Sequence, residues 1–215
     1  MVEKTKITFW GHAMFVIESA RGTKIGTDPY DQQVKSRLPD VSADVVLVSH
    51  GHFDHSNISL FKGNPKVIRQ AGKTSFEDIN IEGVPAYHDE AKGLKRGENI
   101  IFKFEVDGIK FAHLGDLGHL PDERQVNSLK DVDILLIPVG GIYTIDASQA
   151  LKIINDIKPK VAIPMHYKEE DTKIGVNTLD YFIGKVKNFK EVGHTVEVSK
   201  DELPQETEIW ILSST

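Results

Sequence analysis

The stretch Val45-Val46-Leu47-Val48-Ser49-His50-Gly51-His52-Phe53-Asp54-His55 joins a continuous apolar run to three histidines and an aspartate within six residues. An unbroken run of β-branched and leucine side chains suits a strand covered on both faces. Residues 45–48 therefore predict a buried strand that hands over at once to a histidine-rich loop. Four such polar groups cannot all be ordinary core residues, because each would need its own partner and neighbouring imidazoles repel when protonated. A divalent cation removes both difficulties, since it binds neutral imidazole and carboxylate at about 2.0–2.2 Å. In extended chain His50 and His52 share a face and suit one ion. Asp54 and His55, one turn on, suit a second, with Phe53 turned toward packing. The competing reading is a solvent-exposed His-rich loop.

Working outward, the same placement recurs. Val84-Pro85-Ala86-Tyr87 leads into His88, residues 109–114 lead into Gly115-Asp116, and residues 161–165 lead into His166. Two further apolar runs end in His12 and Asp28. Separate strands are thus expected to deliver His or Asp at their carboxyl ends, where loops gather and sites form.

The rest of the chain supplies the frame. Short β-branched or aromatic runs predict strands at 6–10, 14–18, 24–27, 67–69, 81–86, 100–106, 109–112, 134–137, 161–163, 194–198 and 209–212. Asp107-Gly108 is a two-residue hairpin signal. Ala147, Ala150, Leu151, Ile154 and Ile157 fall at helical spacing, so 146–157 predicts a helix stopped by Pro159; a second helix is expected over 177–186. Helices fall between strands in both halves, which suits two packed sheets with helices on their outer faces.

The chain has 215 residues, 40% hydrophobic and 27% charged, which is ordinary globular composition and is read as one domain over 1–215. There is no cysteine, so thiolate ligands, disulfides and a cysteine nucleophile are excluded and any metal is held by nitrogen and oxygen. The net charge of −6 argues against a nucleic-acid partner, and Lys185, Lys187 and Lys190 read as a solvated face. No run approaches the ~20 apolar residues of a spanning helix, and residues 1–10 carry no apolar signal core. The expectation is a cytoplasmic protein acting on a small molecule away from membranes; the oligomeric state is not legible.

Trp10-Gly11-His12, Thr27-Asp28-Pro29, residues 49–55, Gly115-Asp116, residues 138–146 and Pro164-Met165-His166 together resemble the metallo-β-lactamase superfamily. The likeness is nearest to its small stand-alone metal-dependent hydrolases, which include the L-ascorbate-6-phosphate lactonase-like proteins. The resemblance implies an α/β (α+β) fold, a four-layer αββα sandwich with two divalent metal ions at one edge. It implies that His50, His52 and His88 hold the first ion, that Asp54, His55 and His166 hold the second, and that Asp116 bridges them. Zinc is favoured, then manganese, with iron admitted by the all-N/O donor set.

The implied chemistry is hydrolysis of a small ester, lactone or phosphodiester by a hydroxide that the cations make available near neutral pH. Asp54 would be the catalytic carboxylate, orienting the nucleophile or taking its proton. An iron-dependent redox enzyme and a non-catalytic metal-binding protein are the alternatives on the same scaffold. His12 is either substrate-facing, a support for a ligand, or structural. Asp28 either accepts the free ring N–H of a ligand histidine or is a turn carboxylate before Pro29. Thr144 and Asp146 open a helix, as caps or as part of an anion site on its free N–H groups. His113 reads as core or ligand support, His119 as a loop residue or pocket wall, and His194 has no assigned role. Pocket walls are expected from loops 30–39, 89–99 and 118–124.

Overall fold

The computed structural model describes residues 3–214. The first half of the chain builds β1 (Thr5–Gly11), β2 (Met14–Glu18), β3 (Lys24–Thr27), the two-residue β4 (Val41–Ser42), β5 (Val45–Leu47), the two-residue β6 (Phe61–Lys62) and β7 (Lys66–Ile68). The second half builds β8 (Gly72–Phe76), β9 (Ile79–Tyr87), β10 (Glu98–Val106), β11 (Ile109–His113), β12 (Ile134–Pro138), β13 (Val161–Met165), β14 (Lys190–Gly193), β15 (Thr195–Val198) and β16 (Glu208–Leu212). Its helices are α1 (Glu123–Leu129), α2 (Ala147–Ile157) and the single turn α3 (Asp180–Ile183). No helix among the described residues is long and apolar enough to cross a membrane.

Two sheets stack. One has six strands in the order β15-β1-β2-β3-β5-β7, the other eight in the order β14-β16-β13-β12-β11-β10-β9-β8. Alternation along the strands explains the layering. Ile7, Phe9, Phe15, Ile17, Ile25, Val45 and Leu47 point inward and share one core with Phe102, Phe104, Phe111 and Ile163 of the opposite sheet. The intervening Met14, Val16, Val46 and Val48 point outward, into a second cluster with Tyr30, Val34, Val41 and Phe61. Phe9 and Phe15 pack with ring centroids 4.8 Å apart in the central core; truncating either to Ala should cost about 3–5 kcal/mol.

The outer layers differ. Over the eight-stranded sheet lies α2, which buries Ala147, Ala150, Ile153, Ile154 and Ile157. It is capped by Asp146, whose carboxylate accepts from Ser148 N and Gln149 N, and it ends at Lys158 in the left-handed region (φ 57°), just before Pro159. Over the six-stranded sheet the cover is loop chain with one 3₁₀ turn, Ile58–Leu60, and the short parallel pair β4–β6, held down by Tyr30, Val34, Val41 and Phe61. Four layers are present, with an α-helix on one outer face only.

The expected 177–186 helix is realised as four residues, because after Gly184 the backbone N–H groups of Lys185 and Val186 bond three residues back rather than four, and Phe182 alone of that turn is buried. The strands at 14–18 and 24–27 stand at the expected bounds, and Asp107-Gly108 turns with both residues at positive φ. β3, β5 and β7 run parallel, as do β11, β12, β13 and β16. The carboxyl ends of β3, β5, β11 and β13 therefore open on one edge of the sandwich, where sites form in parallel sheets.

Candidate metal centre

At that edge the strand ends place Asp28 after β3, residues 49–55 after β5, His88 after β9, Asp116 after β11 and His166 after β13. His12 arrives from β1, and its carbonyl accepts from His166 N at 2.6 Å, tying the ends of the two sheets together. His12, Asp28 and His166 all sit at positive φ (55°, 37° and 54°). For non-glycine residues this costs energy, and it persists where the surroundings over-determine it. Close approach adds a further demand: a Cβ at Gly140 would stand 2.1 Å from the His166 carbonyl oxygen, and one at Gly118 would stand 2.2 Å from the His88 carbonyl carbon.

All seven residues read as ligands converge. Asp116 is at the centre, and its two oxygens face different partners. Oδ1 lies 3.1 Å from His55 Nε2 and 3.3 Å from His166 Nε2. Oδ2 lies 3.1 Å from His88 Nε2 and 3.9 Å from His50 Nε2. The donor atoms of His50, His52 and His88 form one group, and those of Asp54, His55, His166 and His12 form another. His52 is the exposed member; Asp54, His55, His88, Asp116 and His166 are buried.

Both Asp116 oxygens and the Nε2 atoms of His50, His55 and His166 are buried without a hydrogen-bond partner. Orphaned polar atoms in that number are rare in native interiors. Two donors on one cation, each at about 2.0–2.2 Å, stand about 3.0–3.5 Å apart, so most of these separations suit shared ions better than hydrogen bonds. The donor set and its orphaned atoms fit divalent cations.

Asp28 sets the imidazoles. Its Oδ2 accepts from His55 Nδ1 at 2.9 Å and from Ser49 Oγ at 2.6 Å, and its Oδ1 accepts from Ser49 N at 2.7 Å. With the Ser49 hydroxyl proton given to Asp28, His50 Nδ1–H donates to Ser49 Oγ at 2.9 Å. One carboxylate thus frees Nε2 on a histidine of each group, His55 directly and His50 through Ser49. Asn99, also buried, accepts from Asp116 N at 3.0 Å and donates to the Leu114 carbonyl.

His12 Nε2–H donates to Asp54 Oδ2 at 3.2 Å, which places it behind that carboxylate. His113 spends Nε2–H on the Ala13 carbonyl and accepts from Gly115 N, so it supports the loop. His119 pairs with the backbone at Tyr87 and Leu120. His194 is bonded to the Ser213 carbonyl and packs edge-on against Trp10.

The electrostatics follow from burial. In the protein alone, burial followed by the charge of His55 brings His50 down to about 3, and burial followed by His166 brings His12 down to about 4. Burial would also lower His55, but the surrounding Asp116, Asp54 and Asp28 carboxylates outweigh it and raise it well above the usual range. Burial alone would raise Asp116, yet His166 and His55 hold it well below the usual carboxylate range. Neutral His50 and His12 therefore stand beside the crowded Asp116, Asp54 and Asp28 carboxylates, a concentration of negative charge that favours added cations.

A cavity of about 350 Å³ opens on the cluster. Its lining joins His52, Asp54, His88 and Asp116 of the cluster, its floor, to Phe53, Arg96, Tyr143 and Ile174, its walls. This corrects three expectations. Phe53 does not pack inward but stands 47% exposed on the cavity wall, because the loop after Val48 leaves extended geometry. Loops 30–39 and 118–124 do not line the cavity; loop 89–99 does through Arg96, joined by Tyr143 and Ile174. Thr144 gives its hydroxyl to the Ile145 carbonyl, and the N–H groups at the start of α2 are taken by Asp146, so neither offers an anion site. Ser49, Asn99, Arg96 and Tyr143 were not singled out by the sequence reading. Ser49 had a usable signal in its position between the strand and His50; the others depend on contacts distant in the chain.

Residues 6–166 match the β-lactamase superfamily domain. The chain is 33% identical to a "UPF0173 metal-dependent hydrolase" of Carboxydothermus hydrogenoformans, over 90% of this chain and 94% of that one. It resembles a crystal structure from Thermotoga maritima, described as a proposed Zn-dependent hydrolase of the metallo-β-lactamase superfamily, with a TM-score of 0.80, 38% identity and coverage of 97% and 98%. A metallo hydrolase from Ignicoccus hospitalis, Igni18, is similar at a TM-score of 0.60 and 25% identity, over 77% of this chain and 83% of that one.

Proposed function

The chain belongs to the metallo-β-lactamase superfamily as a metal-dependent hydrolase, and on that premise we propose that it works with two divalent ions, zinc by preference, on a small ester, lactone or phosphodiester. In this reading His50, His52 and His88 would hold one ion, Asp54, His55 and His166 would hold the other, and Asp116 would be shared between them. The observation that carries the pair is the division of Asp116, each oxygen turned to a different pair of histidines. Zinc draws support from the imidazole-rich donor set and from the description of the Thermotoga relative. Bound there, the cations acidify a water toward pKa ~7 and polarise the scissile group.

The protein's own groups do the rest. Asp54 lies on the cavity floor with Oδ2 hydrogen-bonded to His12, so it faces the reacting centre with a fixed orientation and can accept the proton of the attacking nucleophile. Asp28 and Ser49 keep His50 and His55 in the tautomer that offers Nε2. Phe53, Tyr143 and Ile174 give the cavity its apolar surface.

The test is elemental analysis of the purified protein, together with turnover of an aryl ester, a lactone and a bis-aryl phosphodiester. Two equivalents of zinc with cleavage of at least one of these is the expected result. Iron with a visible absorption band would move the reading to oxidative chemistry, and fully metallated protein inert on the whole panel would remove catalysis.

A further inference from the structure

Arg96 is unlike the other basic side chains near the centre. Lys35, close by, is neutralised by Glu169 at 2.9 Å and Asp171 at 3.1 Å. Arg96 has no ion-pair partner among the described residues; its one side-chain hydrogen bond is from Nη2 to the Ile142 carbonyl, at 3.1 Å. A guanidinium carries five N–H donors, so four are left without a protein partner on a side chain that lines the cavity. The group is also held in place. Its carbon lies 5.6 Å from the Tyr143 ring centroid. Its backbone N–H donates to Asp89 Oδ2 at 2.7 Å, and Asp89, itself buried, gathers three more N–H groups from Ala91, Gly93 and Lys95. Ile142, which takes the Nη2 bond, stands at φ 64°, a genuine outlier for a β-branched residue. A rigid loop and a strained carbonyl therefore fix a half-buried, unneutralised fork over the floor that holds His52, His88 and Asp116.

We infer that Arg96 is a specificity-determining residue that binds an oxyanion on the substrate, a carboxylate or a phosphate group, remote from the bond cleaved. An unpaired fork pre-organised beside a cavity matches such a group bidentately. The flanking Phe53, Tyr143 and Ile174 take an apolar or planar segment between the anion and the reacting bond. The cavity volume suits a small molecule. The substrate class is thus an anionic ester, lactone or phosphodiester with an apolar middle. This rests on the hydrolase reading for the word substrate, but not for the binding itself.

The experiment separates the two. Zinc-loaded protein is titrated calorimetrically with 4-phenylbutyrate, 3-phenylpropylphosphonate and, as the neutral probe, 4-phenylbutanol, none of which has a hydrolysable bond. Wild type is expected to bind at least one anion about tenfold or more tightly than the alcohol, the size expected of charge-assisted hydrogen bonds. Arg96→Met should bring that ratio to within about twofold, while Arg96→Lys, with a point charge but no fork, should keep part of it. The tighter of the two anions assigns the group as carboxylate or phosphate. Equal binding of anions and alcohol by wild type, or a preference unchanged in Arg96→Met, would overturn the inference, the latter by assigning the anion to the metal ions. Metal content and thermal midpoint of each variant confirm folding, and Arg96→Lys decides the case where the Met variant does not fold. Failure of all hydrolysis with the anion preference intact would remove the catalytic reading and leave the Arg96 site standing.

Discussion

Two buried polar clusters lie within a few residues of each other and could hardly differ more. Around Lys35, which is 3% exposed, each charged group has a protein partner: Nζ contacts Glu169 Oε2, Asp171 Oδ1 and Ser214 Oγ, and Glu169 also bonds Ser214 and accepts from His12 N. Around Asp116 carboxylates and imidazoles crowd together with both Asp116 oxygens and three Nε2 atoms unsatisfied. Buried charge is tolerated when paired and hydrogen-bonded. The first cluster meets that condition with protein atoms alone and anchors loops; the second leaves atoms that no protein group matches, and on these the proposed metal centre rests.

The sharpest way to break this contrast is Asp116→Ala. It should remove at least one metal equivalent and cut turnover by more than about 100-fold, beyond what loss of an outer partner produces; retention of both ions on elemental analysis would show that the central carboxylate is not shared. Next is Lys35→Met, which strands two carboxylates. Stability in urea should fall by about 3 kcal/mol, the low end for a broken buried pair because Asp171 is half-exposed, with metal content unchanged; loss of metal would merge the clusters into one.

Asp28→Asn should weaken metal affinity by about 10–100-fold in chelator competition. Asn tolerates the left-handed backbone there, so an unaffected affinity would mean the imidazoles are held by other contacts. The smallest effect belongs to Asp89→Asn. Burial would raise the Asp89 pKa, but the N–H groups of Arg96, Lys95, Ala91 and Gly93 pull it below the usual value. A depressed pKa stabilises the loop above the unfolded carboxylate value near ~3.9 and loses that contribution as pH falls through the folded-state pKa. Amide exchange at residues 91–96 should therefore be slower in wild type than in the variant at neutral pH and converge in acid; a constant gap would discard the carboxylate's role.

What could be read from sequence was what repeats locally. Strands 14–18 and 24–27 are apolar runs bounded by turn residues, and the seven His and Asp positions follow such runs directly, so convergence required only that strand ends meet. What could not be read has physical causes. β8 (Gly72–Phe76) and β14 (Lys190–Gly193) are edge strands with half-exposed or exposed, largely polar residues, which carry little periodic signal. Phe53 was assigned to packing because aromatic residues usually are, but its loop leaves it on a cavity wall. Of the two cap candidates, Thr144 and Asp146, it is Asp146 that caps α2, and Tyr143 beside them carries no capping or ligand chemistry by which to be noticed. Arg96 is one basic residue in a polar loop; its meaning depends on Tyr143, Ile142 and Asp89, none of which is close enough in pattern to announce it.

The shared support from Asp28 has a further consequence. Because it orients His55 directly and His50 by way of Ser49, filling either position locks the scaffold on which the other depends. Loading should therefore be cooperative, with half-filled protein scarce, and an attempt to retune one position for a different ion would drag its neighbour with it.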